Sequence, residues 1–200
     1  EKKSKSRKFR KKMARNLGDT ILKITVIGDA SDLLQTISKI DLPKLDITQE
    51  FDVNSKGLII LDDSLSSSEK ISLAKSNELQ IPILGVQNGF DALNQFFGGN
   101  PSVTNEKNCP QLFLSPGAKL SHIIGGSGWV KGNLQLKKSI LNKDLSDNFF
   151  ASIISEDGEV LGFEKPGNDW QFGIRFDIFS EENPRGFEKI ITVFLDRCTE

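Results

Sequence analysis

Three short stretches place side chains capable of chemistry at the ends of apolar runs. Gly85-Val86-Gln87-Asn88-Gly89 closes the run Ile81–Val86 and sets small residues two before and two after a central position. That spacing suits a sharp strand-to-helix turn whose central side chain is strained and projects into a cleft, the place of a nucleophile in turns of this kind. Glycines are required there because a Cβ at either flank would meet neighbouring backbone. The central residue is Gln87, which has no ionisable group and cannot form a thioester. Asp29 and Asp62-Asp63 end two other apolar runs. Carboxylates gathered at one edge of a parallel sheet can hold Mg²⁺, as in phosphate-receiving domains. That arrangement would add a Ser or Thr and then a Lys at the next two strand ends. The next end here is Gln87, and no fifth parallel strand with Lys is evident, so the acids read more simply as solvated loop residues.

The remaining reactive groups are few. His122 is the only histidine and adjoins Ser121 on a short helical stretch, Ala118–Ile124. Neighbours on a helix point about 100° apart, so the two are not a ready dyad. Cys109, in a polar stretch before Pro110, is a reactive thiol only if its environment lowers its pKa. Cys198 reads as a filler on the last helix. The two cysteines form no CxxC pair and define neither a disulfide framework nor a zinc site. Gly125-Gly126-Ser127-Gly128 lacks the Lys and helix of a phosphate loop and reads as a turn. No motif calls for a cofactor or a metal.

The elements that must position these groups are legible from periodicity. Ile21–Ile27, Leu58–Leu61 and Ile81–Val86 read as buried strands, with a weaker one over Leu45–Thr48. Ser31–Ile40 carries apolar residues at helical spacing. Ser66-x-x-Glu69 is a capping box opening a helix to about Leu79, and Phe90–Phe97 is a helix closed by Gly98-Gly99. Strands alternating with helices predict a parallel sheet covered on both faces. The second half is β-rich: Gln111–Leu114, Trp129–Leu134, Phe149–Ser155, Val160–Lys165 and Gln171–Phe176 read as short strands. A final helix, Gly186–Cys198, carries Phe187, Ile190, Ile191, Phe194 and Leu195 on one face.

The chain has 200 residues, 37% hydrophobic and 26% charged, which suits one large domain able to bury its own core. No apolar run approaches the roughly 18 residues needed to span a bilayer, so a soluble protein of a reducing compartment, cytoplasmic or organellar matrix, is expected. The net charge of −1 conceals an asymmetry. Residues 1–15 hold nine Lys or Arg and one acid, leaving 17 basic and 26 acidic groups over residues 16–200, a net of −9. Residues 1–20 therefore read as a basic arm too poor in apolar residues to order itself, and residues 21–200 as the folded domain. Residues 2–15 suit contact with RNA, an anionic membrane or an acidic protein. The arm has no apolar core of a secretory signal, and a first residue other than Met suggests processing or trimming.

PILGVQNGFDALNQFFGG resembles the nucleophile turn of class I glutamine amidotransferases, where the pattern is P-x-x-G-x-C-x-G and the helix ends in Gly-Gly. LFLSPGAKLSHIIGG and FFASIISEDGEVLGFEKPGNDWQFGIRFDI extend the likeness over roughly residues 23–199. They are similar to the gamma-glutamyl-gamma-aminobutyrate hydrolase branch, the peptidase C26 group, in which a DG-x-[IV]-E-[AG] hairpin precedes a strand ending G-V-Q-[FW]-H-P-E. The resemblance implies a flavodoxin-like α/β fold with a β-rich C-terminal half.

Carried over by position, the family's cysteine falls on Gln87, its histidine on Asp177 and its orienting glutamate on Phe179. A Gly-Gly that supplies oxyanion donors falls on Asp62-Asp63, where negative charge would oppose a developing oxyanion. A segment usually rich in histidine is Lys131-Gly132-Asn133-Leu134-Gln135. The resemblance thus implies an inactive amidotransferase-like domain, a binding, regulatory or structural subunit of a larger assembly. Its former active-site cleft, lined by Gln87, Asn88, Asp62, Asp63 and Asp177, would hold a small polar ligand. Two alternatives stay open: a gamma-glutamyl hydrolase or amidase with a non-standard nucleophile, and an RNA- or membrane-associated protein that works through its basic arm.

Overall fold

A computed structural model of the chain describes residues 21–38, 44–180 and 183–200. The basic arm lies outside them, as do the last two residues read into the first helix. The strands are β1 (Leu22–Ile27), β2 (Leu45–Thr48), β3 (Leu58–Ile60), β4 (Ile83–Val86), β5 (Val103–Leu114), β6 (Gly128–Ser139), β7 (Phe150–Ser155), β8 (Val160–Glu164) and β9 (Gln171–Ile174). The helices are α1 (Ser31–Ser38), α2 (Ser67–Glu78), α3 (Asn88–Phe96), α4 (Lys119–Ile124) and α5 (Lys189–Arg197).

Among the described residues all nine strands join one sheet in the order β2-β1-β3-β4-β9-β8-β7-β5-β6. The first five in that order run parallel, and the remainder pair antiparallel. The expected α/β architecture is therefore present. One reading is corrected: β9, taken from sequence as part of the β-rich return, is the fifth parallel strand, with Val86 in register with Ile174. Its four residues are all buried, as a strand covered on both faces requires.

Alternation along the strands divides the core in two. Ile59, Leu84 and Val86 pack with Leu33 of α1 and with Phe187, Ile190 and Phe194 at α5. Leu58, Ile60 and Ile83 pack with Leu73 of α2 and with Phe90 and Leu93 of α3. Period-two side chains force this split. Ser66 starts α2 as read: Glu69 N donates to Ser66 Oγ (3.3 Å) and Ser66 N to Glu69 Oε2 (2.7 Å).

The largest departure from the sequence reading is β5–β6. Each strand has 12 residues, far longer than Gln111–Leu114 and Trp129–Leu134. Thr104–Asn108 is polar, and cross-strand contacts hold it extended: Asn105 Nδ2 donates to Glu159 Oε1 at 2.6 Å, and Lys107 pairs with both Asp157 and Glu159. Cys109 accordingly lies buried within β5 rather than in a loop.

Candidate functional site

The turn after β4 has the geometry its glycines predict. Gln87 is held at φ 52°, ψ −106°, a region that L residues enter only under strain. A Cβ on Gly85 would strike the Gly89 backbone, and one on Gly89 would overlap the Ile60 carbonyl oxygen. The chain turns sharply from β4 into α3, and its central residue is exposed. Gln87 N donates to Ile174 O at 2.7 Å, which ties the turn to the carboxyl end of β9.

That tie brings Gln87 beside Asp177, 90 residues later. The two flank a cleft of about 350 Å³ at the carboxyl ends of adjacent parallel strands, where open α/β sheets place their ligands. Gln87, Asn88 and Asp177 all line it. So do Asn133, Leu134 and Gln135, in the segment where the resemblance would place histidines, together with Leu136, Lys137 and Lys138 of β6. The long β5–β6 ribbon thus returns over the strand ends. The volume suits a small molecule.

Asp177 is engaged locally. Its Oδ1 accepts from Phe179 N (2.9 Å), and its carbonyl accepts from Asn183 Nδ2 (2.7 Å). Phe179 packs against the hydrophobic core. Asp62 and Asp63 do not line the cleft as expected. Asp62 packs near Gly28 at the end of β1. Asp63 is exposed and pairs with Lys138 at 3.1 Å. The cleft wall therefore carries Lys137, Lys138 and Arg175 against the single acid Asp177.

Arg175 is the residue that sequence reasoning missed. It is 7% exposed, and its partner Asp91 in α3 is 3% exposed. Nη1 reaches Asp91 Oδ2 at 2.5 Å, and Nη2 reaches Asp91 Oδ1 at 2.8 Å. Ser102 Oγ joins the same cluster, within 2.5 Å of Nη2 and in contact with Asp91 Oδ1. The guanidinium stacks 4.0 Å from the centroid of the Phe90 ring. Nε is buried without a partner, which by itself costs about 1–3 kcal/mol. A basic residue inside the otherwise apolar run Phe172–Phe176 was the available signal, because a buried cation demands a counter-charge.

The other candidates are placed elsewhere. Ser121 Oγ donates to Ser115 O at 2.7 Å and His122 is exposed, so the two form no dyad. Asp29 Oδ1 accepts from Ser31 Oγ (2.5 Å) and Ser31 N (2.9 Å) at the start of α1, and these bonds hold its carboxyl below the usual range. Cys109 Sγ contacts Gln111 O at 3.2 Å, and burial pushes its thiol pKa up. Burial raises that of Cys198 further.

No family model matches the chain, and no curated protein matches it in sequence. Solved structures do match in fold. The chain is similar to a protein assigned as a GMP synthase subunit from Thermoplasma acidophilum, at 18% identity and a TM-score of 0.69, over 90% of this chain and 95% of that one. It is similar to a glutamine amidotransferase from Thermotoga maritima, at 14% identity and 0.61, over 89% and 84%. It also resembles the glutaminase domain of Trypanosoma brucei CTPS with bound acivicin, at 12% identity and 0.63, over 89% and 94%. At these identities the likeness is one of fold: a class I glutamine amidotransferase fold.

Proposed function

We propose that this chain is an amidotransferase-like domain that binds a small polar ligand in the strand-end cleft and does not perform cysteine hydrolase chemistry. The observation that carries this reading is Gln87 at φ 52° in the turn between β4 and α3. The strained turn is kept, yet the side chain it presents is a carboxamide, which can donate and accept hydrogen bonds but cannot attack a carbonyl carbon. Asp177 and Phe179, at the positions of the base and its orienter, support the same reading. Within the fold, the peptidase C26 branch, with its gamma-glutamyl hydrolase chemistry, is the origin favoured by the sequence motifs.

Binding in place of catalysis suits a regulatory or structural subunit of a larger assembly. Among the fold neighbours, one bears the name of an enzyme subunit and one that of a glutaminase domain, which supports a partner for this chain too. The basic residues 2–15 would dock on an acidic or RNA-containing surface of that assembly, with salt-sensitive affinity.

The test is incubation of the chain with glutamine and gamma-glutamyl amides. Ammonia and glutamate should not rise above the buffer control. Turnover that disappears on Cys109→Ser would overturn the reading.

A further inference from the structure

We infer that the outer face of the β5–β6 ribbon is a binding strip for single-stranded nucleic acid, running from the cleft mouth out to Trp129. This goes beyond the cleft-ligand reading and does not depend on it. Strand pairing fixes which side chains share that face. Phe113 stands opposite Trp129, Gln111 opposite Lys131 and Asn108 opposite Gln135, and directly opposed residues of an antiparallel pair project to the same side. The intervening pairs, Leu112 with Val130 and Cys109 with Leu134, turn to the core. Trp129, Lys131, Asn133, Gln135 and Lys137 therefore form a period-two row on the outer side, and all five are exposed. At about 3.4 Å per residue the row is about 27 Å long. Its inner part, Asn133 to Lys137, is also cleft wall.

Two observations make a nucleic acid the occupant. The first is a stacking surface. Trp129 is 56% exposed, and its ring lies 5.3 Å from that of Phe113, edge to face. An indole held in water by a paired strand offers its face to a base, and every base has a face to stack. Asn133 and Gln135 follow in the same row, with donors and acceptors that suit base edges. The second is charge. Residues 103–139 carry five Lys and one acid, Glu106, whereas the rest of residues 16–200 carry 12 Lys or Arg and 25 acids. The ribbon segment is thus the basic pole of an acidic domain. Lys107 faces Asp157 and Glu159, Lys119 faces Glu164, and Lys138 faces Asp63. Lys131 and Lys137, both in the outer row, make no ion pair among the described residues. An acidic peptide would meet these lysines but has no use for the aromatic pair, whereas a single strand of nucleic acid engages both.

The test titrates the full chain with an oligouridylate of about twelve nucleotides, within the site sizes of single-strand binders, and with a polyglutamate of equal length, following tryptophan fluorescence at several salt concentrations. The oligouridylate should bind and quench Trp129, a signal that Trp129→Phe abolishes. Residues 1–15 hold no tryptophan, so the quench separates the ribbon from the basic arm. Trp129→Ala should weaken the oligouridylate about tenfold, the loss of one base–aromatic stack, and Trp129→Tyr should keep most of the affinity. Lys131→Gln should reduce the slope of log affinity against log salt by about 0.7, one phosphate contact. Oligouridylate binding that leaves Trp129 unquenched and is unchanged in Trp129→Ala would belong to the arm and overturn the inference. Polyglutamate that binds as tightly as the oligouridylate and weakens in Lys131→Gln would make the strip a site for acidic protein and overturn it too. So would a chain that binds neither probe. The cleft-ligand reading is tested separately, by the turnover assay above.

Discussion

Arg175, in the cleft wall, closes a bidentate ion pair with the buried Asp91, with Nη1–Oδ2 at 2.5 Å and Nη2–Oδ1 at 2.8 Å. One partner follows β9 and the other sits in the first turns of α3, so the pair clamps the two strand ends that bear Asp177 and Gln87. Removing one member leaves a buried uncompensated charge, which costs about 3–5 kcal/mol. Asp91→Asn should lower the unfolding free energy by that amount, read from chemical denaturation, whereas the double change Asp91→Leu with Arg175→Met should recover most of it. A single mutant that unfolds at the wild-type midpoint would show that the pair is not desolvated.

Gly89 admits no side chain, because a Cβ there would overlap the Ile60 carbonyl oxygen. Gly89→Ala must push α3 away from β3, a backbone shift costing about 3 kcal/mol or more. Loss of soluble expression, or a fall in unfolding free energy of that size, is expected. Gly98→Ala meets no atom within 4 Å and serves as a control that bears only the strain of its positive φ.

Gln87 is held at φ 52°, where glycine is not strained. Gln87→Gly should stabilise the fold by about 1 kcal/mol, the backbone strain released less the added entropy of an unfolded glycine. Urea denaturation would read the gain. A stability loss would mean that the glutamine side chain contributes contacts worth more than the strain it imposes.

Cys109 and Cys198 are buried, and burial raises both thiol pKa values. The folded state therefore keeps its thiol protons at pH values where the unfolded chain, at about 8.5, has begun to lose them. The unfolded state then binds fewer protons, so this contribution is complete below about pH 8.5 and is lost as pH rises. Stability should fall between pH 8.5 and 10, and the fall should be shallower in Cys198→Ala once its constant packing cost is subtracted. A thiol reagent at pH 8 should label the native chain slowly and the urea-unfolded chain quickly.

Much of the parallel half was legible because its signals are local. Leu58–Ile60 and Ile83–Val86 are unbroken apolar runs, and Ser66 with Glu69 writes a capping box that needs no partner elsewhere. The β5–β6 ribbon was not legible in full. Thr104–Asn108 has no strand pattern of its own and stays extended because Lys107 and Asn105 reach Glu159, more than 50 residues away.

The site divides in the same way. The sequence alone determined that a sharp turn follows β4 with Gln87 at its centre, because the overlap that forbids a Cβ at Gly85 arises within five residues. Tertiary structure decided what surrounds that turn. Only the pairing of β4 with β9 sets Asp177 beside Gln87, and only the return of β6 brings Lys137 and Lys138 to the cleft while leaving Asp62 and Asp63 outside it. Charge in a cleft depends on which distant segments converge there, and short-range periodicity carries no record of that convergence.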